Sequence, residues 1–355
     1  MIYTTQTRRL FIDPAQPDAS ILARAAAVLQ QGGLVAFPTE TVYGLGANAL
    51  DGVAVNRIFA AKERPANDPV IVHIYDDRQL PLVANDVPSV VWRLRDVFWP
   101  GALTLVLRRS SFIPPNVSSG LRTVAVRMPA GTIARELLRA AELPIAAPSA
   151  NTFSRPSATT ADHVMEDLDG HVDMVLDGGA TMMGLESTVL DLTGDIPTVL
   201  RPGGVTLEAL REVLPTVQVR ERMNAADAPA TEASPGLLVK HYSPRAQFLL
   251  YDGTPEAARA AMVDEAKRLV AQGKRIGVLI VNEDRPLFDG LALFIEMLGS
   301  SDDLPQVGTR LFAGLRALDA HRVEVILART LSAEGIGAAI ADRMLRAAEG
   351  KRIAT

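Results

Sequence analysis

The chain has 355 residues, 48% of them hydrophobic and 22% charged, with a net charge of -5 and a pI near 5.6. This composition excludes a disordered chain and is sufficient for two separate cores, while the acidic balance calls for no tight nucleic-acid partner. Cysteine is absent, which excludes disulfides, thiol catalysis and thiolate metal sites; the five histidines form no spaced pair, which argues against zinc. No apolar run reaches the length of a membrane span and Met1 to Leu10 carry no apolar targeting core, so a cytoplasmic protein is expected.

In chain order, Ser20 to Gln31 carries a helical apolar stripe that stops at Gly32-Gly33, a C-cap, and gives way to a strand from Leu34 to Phe37. That strand runs into a Thr-Glu-Thr turn closed by Gly44 and Gly46, glycines expected to let a ligand approach the backbone. A helix from Val53 must end before Pro65. Short apolar strands are predicted at Ile71 to Ile74, Leu103 to Leu107, Val124 to Met128, Ile145 to Ala147, Met174 to Leu176, Thr188 to Leu192 and Thr198 to Leu200. Helices lie between them near Pro88 to Phe98, Ile133 to Ala141, Ala161 to Leu168 and Leu207 to Leu214. Several links are too short for a helical crossover, so an α/β fold with a mixed sheet is expected over residues 1–214. Residues 215–245, rich in Ala, Pro and charge, form an expected interdomain linker in which Ser234-Pro235-Gly236 and Lys240-His241-Tyr242-Ser243-Pro244 stand out. From residue 246 to 355 a second alternation begins, with strands at Phe248, Ile276 and Val323 and helices at Pro255, Val307 and Ile336. It predicts a smaller, parallel, Rossmann-like domain.

The polar residues fall into clusters. Lys62 and Arg64, one residue apart in a loop stiffened by Pro65 and Pro69, can bracket a polyphosphate, with Asp68 and His73 in the same run. A solvated helix C-terminus would also favour the two cations. Thr123 and Arg127 share one face of a strand, and a buried arginine there needs an anion, from a structural carboxylate or from a substrate. The stretch after Ala147 offers Ser149, Asn151 and Ser157 at the carboxyl end of a strand, where open α/β sheets bind ligands. Glu186-Ser187-Thr188 opens a strand, and Arg201-Pro202-Gly203-Gly204 closes one. The glycine pattern from Gly44 to Ala49 matches a dinucleotide fingerprint weakly, because PTETVY intervenes after the strand; no Walker loop and no GxSxG elbow occurs.

PTETVYGLG, the KxRPxxxPxxxH run, PGALTLVL, VAVRMP, APSAN and ESTVLD occur in one order, and together the chain resembles the YrdC-like threonylcarbamoyl-AMP synthases from Leu22 to Leu214. SPGLLVKHYSP and GIGAAIADRMLRAA resemble the linker and accessory domain of the long form of that family. The resemblance implies a twisted open sheet with a concave, positively charged cavity. It also implies synthesis of threonylcarbamoyl-AMP and pyrophosphate from L-threonine, bicarbonate and MgATP, with Mg²⁺ arriving on the nucleotide. Thr41, His73, Arg127, Ala147 and Ser187 match threonine-binding positions; Lys62, Arg64, Asp68, Thr123, Ser149, Asn151, Ser157 and Arg201 match the nucleotide side. Tyr242 looks like a lid residue over the same cavity. Lys62, Arg64, Ser149 and Asn151 carry the catalytic expectation. The family usually has Asn where this chain has Asp68, and an acid there repels phosphate unless a cation intervenes. The implied downstream partner is the threonylcarbamoyl transferase complex that modifies tRNA, with weak direct RNA contact as a further expectation and no membrane. A carbamoyltransferase of the same fold and a double-stranded RNA-binding module are the competing classes; the former usually carries Cys motifs that this chain lacks.

Overall fold

A computed structural model describes residues 6–220 and 241–355. Two aspartates start the first helices by accepting the backbone N–H groups that a first turn leaves unbonded. Asp18 accepts from Ser20 and Ile21 and opens α1 (Ala19–Gln30); Asp51 accepts from Val53 and Ala54 and opens α2 (Gly52–Lys62). Beyond α1, Gly32 takes φ 79°, a conformation that costs a side chain energy, and the chain turns into β2 (Val35–Pro38) as expected.

The described chain separates into two units, residues 6–153, 157–182 and 186–220, and residues 154–156, 183–185 and 241–355. In the first, one mixed sheet is built from β1 (Arg8–Phe11), β2, β3 (Tyr43–Asn48), β4 (Ile71–His73), β5 (Ala84–Asn85), β6 (Leu103–Arg109), β7 (Thr123–Arg127), β8 (Ile145–Ala146), β9 (Met174–Asp177), β10 (Thr188–Asp191), β11 (Thr198–Arg201) and β12 (Gln218–Val219). Its order is β1-β9-β2-β3-β8-β4-β7-β6-β10-β11-β12, with β5 on β6. Neighbours β4 and β7 are parallel, as are β6 and β10, whereas β6 and β7 are antiparallel. The mixed sheet is therefore as anticipated. β12 was not foreseen: it extends the sheet beyond Leu214 into the stretch read as linker.

The register decides which side chains reach the site. Strand residues alternate between faces, so Val72, Leu105, Leu107, Val124, Val126 and Leu190 all enter one hydrophobic core. Each such side chain contributes about 1.5–3 kcal/mol by burial. The opposite face carries His73, Arg127, Thr104 and Val189 side by side across β4, β7, β6 and β10. A small apolar group of Ile71, Val106, Ala125 and Val189 lies on that same face.

Gly44 and Gly46 differ from expectation. Both lie within β3, opposite Phe37 and Val35, and neither has a positive φ. A Cβ on Gly46 would fall 2.8 Å from Phe37 and 2.9 Å from Ile145, so this glycine makes room for neighbouring side chains inside the sheet rather than for a ligand.

The second unit has β13 (Gln247–Asp252), β14 (Ile276–Ile280), β15 (Phe294–Met297), β16 (Val325–Arg329) and β17 (Ile353–Ala354) in the order β15-β14-β16-β13-β17. All its pairings are parallel, as the Rossmann-like expectation required; β15 and β17 were not anticipated. Helices Pro255–Ala271, Leu304–Ala320 and Gly337–Ala347 complete it. Buried Asp284 holds Arg329 through two hydrogen bonds (2.7 and 3.1 Å) and Arg259 through one (2.7 Å).

Candidate active site

Arg127 ends β7 with its side chain almost fully buried, and a guanidinium there demands compensation. Its Nη2 donates to Glu40 at 2.6 Å, Nη1 to the Thr41 hydroxyl at 2.9 Å, and Nε to the Gly101 carbonyl at 3.1 Å. Of the two anions the sequence allowed, a structural carboxylate is thus present. Burial alone would raise the Glu40 carboxyl, but the charge and hydrogen bond of Arg127 outweigh it and hold Glu40 below its ordinary range. Glu40 also accepts from the Gly131 N–H (3.2 Å), and Thr39 and Thr41 share a hydroxyl contact of 2.8 Å. Glu40 and Thr41 are therefore tied to the end of β7, and Thr39 is tied to Thr41.

His73 ends β4 directly beside Arg127 in the ladder. Burial, and then the Arg127 charge, push its imidazole down to about 3, so the ring is neutral at any physiological pH. Its Nδ1 has no hydrogen-bond partner among the described residues, which leaves a buried polar atom for a ligand to satisfy. On the far side of Arg127, Thr104 of β6 meets the Ser187 hydroxyl at 2.7 Å. Arg201, closing β11, donates Nε and Nη2 to the Ser187 carbonyl (3.3 and 2.9 Å) and Nη2 to its hydroxyl (3.4 Å). Gly203 explains the turn that follows: a Cβ there would sit 2.3 Å from the Ser187 carbonyl carbon, so no other residue fits. Ser157 donates its hydroxyl to Glu186. Ala147, buried just past β8, donates its N–H to Ile71 at 2.8 Å.

The second cluster lies before β4. Lys62, the last residue of α2, is buried and donates Nζ to the carbonyls of Ser149 (2.6 Å) and Asn151, tying the helix end to the APSAN turn. Arg64 donates to the carbonyls of Asp68 (3.0 Å) and Pro69 (2.7 Å) and forms a buried ion pair with the Asp68 carboxylate at 2.8 Å. The acid expected to repel phosphate is therefore paired with the arginine beside it. Thr123 begins β7, half-buried, four residues and roughly 13 Å from Arg127.

Tyr242 belongs to the second unit. Its ring stacks on Phe312 at 5.2 Å, meets His241 edge-on at 4.0 Å and lies 5.2 Å from the Arg343 guanidinium. Lys240 and Ser234-Pro235-Gly236 fall outside the described residues.

The sequence assigned Thr41, His73, Arg127, Ala147 and Ser187 to the threonine side and Arg201 to the nucleotide side; the structure bonds Arg127 to Thr41, sets it beside His73 in the ladder, and places Arg201 on Ser187. Sequence reasoning assigned no role to Glu40, Thr104 or Glu186. Glu40 was detectable, because a buried strand arginine needs an anion and this acid sits in the adjoining polar turn; Thr104 gave no signal, since its register with Arg127 is a tertiary fact.

An α/β sheet whose polar face gathers buried cations, hydroxyls and a neutral imidazole defines an enzyme-like site for small anionic substrates. A family model described as telomere recombination matches residues 27–203, and one described as the threonylcarbamoyl-AMP synthase C-terminal domain matches residues 205–349. The threonylcarbamoyl-AMP synthase of Pyrococcus abyssi is 43% identical over 93% of this chain and 94% of its own length; that of Bacillus subtilis is 40% identical over 98% and 99%. The crystal structure of P. abyssi Sua5 complexed with L-threonine superposes with a TM-score of 0.92 at 39% identity, covering 98% of this chain and all of that one. The chain belongs to the threonylcarbamoyl-AMP synthase family, in its two-domain form.

Proposed function

We propose that this protein joins L-threonine, bicarbonate and ATP into threonylcarbamoyl-AMP with release of pyrophosphate. The observation that carries the reading is the row His73, Arg127, Thr104 with Ser187 on one sheet face: a cation, an open neutral imidazole and hydroxyls, the complement of a hydroxy amino acid. Arg127 takes the threonine carboxylate with its remaining N–H groups, while His73 and the hydroxyls of Thr41 and Ser187 read its polar groups; Ala147 closes the floor. An amino acid without the hydroxyl leaves buried polar atoms unpaired and is rejected.

Lys62, Arg64, Ser149 and Asn151, with Thr123, Ser157 and Arg201, serve the nucleotide side. The threonine nitrogen attacks bicarbonate to give a carbamate, water is lost, and a carbamate oxygen displaces pyrophosphate from the α-phosphorus. Such a displacement needs alignment and charge neutralisation more than covalent help. Asp68 is committed to Arg64 and makes a poor metal ligand, so Mg²⁺ is assigned to the phosphate oxygens and water of the nucleotide. The product is a labile mixed anhydride, which suits consumption by a transferase that modifies tRNA. Among the described residues no helix is long and apolar enough to cross a membrane.

The test is to incubate purified protein with L-threonine, bicarbonate and MgATP and to detect threonylcarbamoyl-AMP by mass spectrometry alongside pyrophosphate. Product that requires all three substrates supports the reading; folded protein that binds ATP and yields neither product overturns it.

A further inference from the structure

Thr104 stands where the two halves of the threonine-side cluster meet. Its strand, β6, lies between β7 and β10, and its register partners are Arg127 on one side and Val189, two residues beyond Ser187, on the other. The side chain is fully buried, and among the described residues its hydroxyl has one hydrogen-bond partner, the Ser187 hydroxyl at 2.7 Å. Arg201 also donates, at 3.4 Å, to that same Ser187 oxygen.

A serine hydroxyl carries one proton and two lone pairs. If Ser187 donates to Thr104, no proton remains on Ser187 for a ligand. If Thr104 donates, Ser187 accepts from Thr104 and Arg201 together, and its own proton is directed away from both. The second arrangement satisfies every group once an anionic oxygen is present, and a β-branched residue on a strand holds its χ1, and with it the position of the hydroxyl oxygen beside Ser187, firmly.

We propose that Thr104 is a positioning residue for the amino-acid substrate: its hydroxyl donates to Ser187 and thereby aims the Ser187 proton at an oxygen of bound threonine. The inference rests on the assignment of Ser187 to threonine. Thr104 itself does not touch the substrate; it acts through Ser187.

The experiment is a double-substitution cycle on the full chain, with KM for threonine, KM for ATP and kcat measured for Thr104→Val, Ser187→Ala and the pair. Thr104→Val is expected to raise the threonine KM about 3- to 10-fold, the effect of one neutral hydrogen bond, with the ATP KM unchanged, and Thr104→Ser to restore it. In the Ser187→Ala background the valine substitution should have no further effect. An equal effect of Thr104→Val with and without the Ser187 hydroxyl overturns the positioning role while leaving Ser187 a threonine ligand. A threonine KM untouched by Ser187→Ala overturns the underlying assignment as well. Should the valine chain melt below the assay temperature, Thr104→Ala answers the same question.

Discussion

Asp68→Asn removes the charge while keeping the side-chain shape, and its effects on stability and on ATP affinity should oppose each other. The Arg64–Asp68 pair is buried on both sides, with side-chain exposures of 3% and 1% at 2.8 Å. An asparagine keeps the shape and can still accept a hydrogen bond, but the guanidinium loses its counter-charge. The loss amounts to one charge-assisted contact, about 1.5–3 kcal/mol, short of the ~3–5 kcal/mol for deleting a partner outright. In a unit of this size about 2–4 °C accompanies each kcal/mol, so the ligand-free melting temperature should fall by roughly 3–12 °C. The freed Arg64 charge is then available to a phosphate, and removal of a nearby carboxylate lowers repulsion. ATP should bind at least about threefold tighter, a gain of ~0.7 kcal/mol, and recover more of the melting temperature than it does in the parent chain. Differential scanning fluorimetry with and without ATP, backed by titration calorimetry, reads both. An unchanged ligand-free melting temperature would show that Asp68 does not hold Arg64; weaker ATP binding would refute a phosphate role for Arg64.

His73 releases its proton near 6.5 when unfolded and near 3 when folded, so the unfolded chain binds more protons between those values. Its contribution to stability is complete above 6.5 and declines as pH falls, by up to ~1.4 kcal/mol per pH unit; His73→Gln should remove that slope, and superimposable stability–pH curves for the two chains would contradict a buried neutral ring. Arg127→Ala should raise the threonine requirement at least about tenfold with ATP binding nearly intact, and it strands Glu40 beside a cavity, so urea midpoints should fall too; a threonine KM within twofold of the parent value would count against the substrate role. Tyr242→Ala removes a ring packed on Phe312, His241 and Arg343 and should cost the second unit about 3–5 kcal/mol. A loss under ~1 kcal/mol by chemical denaturation would mean that this packing contributes little.

The parts legible in the sequence were those encoded by short-range physics. Gly32 ends the turn after α1, apolar runs mark β6 and β7, and the elements fall within a few residues of expectation. Periodicity could not find strands too short or too polar to alternate: β1, with two arginines, and β12, with two residues. The GLG run misled because glycine signals both ligand approach and tight packing, and only the positions of Phe37 and Ile145 distinguish the two. In the site, residue types pointed to cations and hydroxyls, but how far those groups engage one another is a matter of tertiary geometry. Lys62, for example, looks like a free cation in sequence and is spent twice on backbone carbonyls in the fold.

Arg64 and Asp68 precede β4 while His73 ends it; Thr123 begins the parallel neighbour β7 and Arg127 ends it. His73 and Arg127 thus sit at one end of two hydrogen-bonded strands and Thr123, with the Arg64–Asp68 loop, at the other, roughly 13 Å apart at ~3.3 Å per residue, while Arg201 lies against Ser187. Between the two ends the face carries Ile71, Val106 and Ala125, which are apolar and offer no competing hydrogen-bond partner. A separation set by a β-ladder does not drift as a separation between two loops would, and in-line displacement is sensitive to errors of about 1 Å. The ion pairs and carbonyl contacts that occupy Lys62, Arg64 and Arg127 in the free protein serve the same end. They hold each cation at a defined end of the ladder before substrate arrives, so little reorganisation is left for the reaction itself.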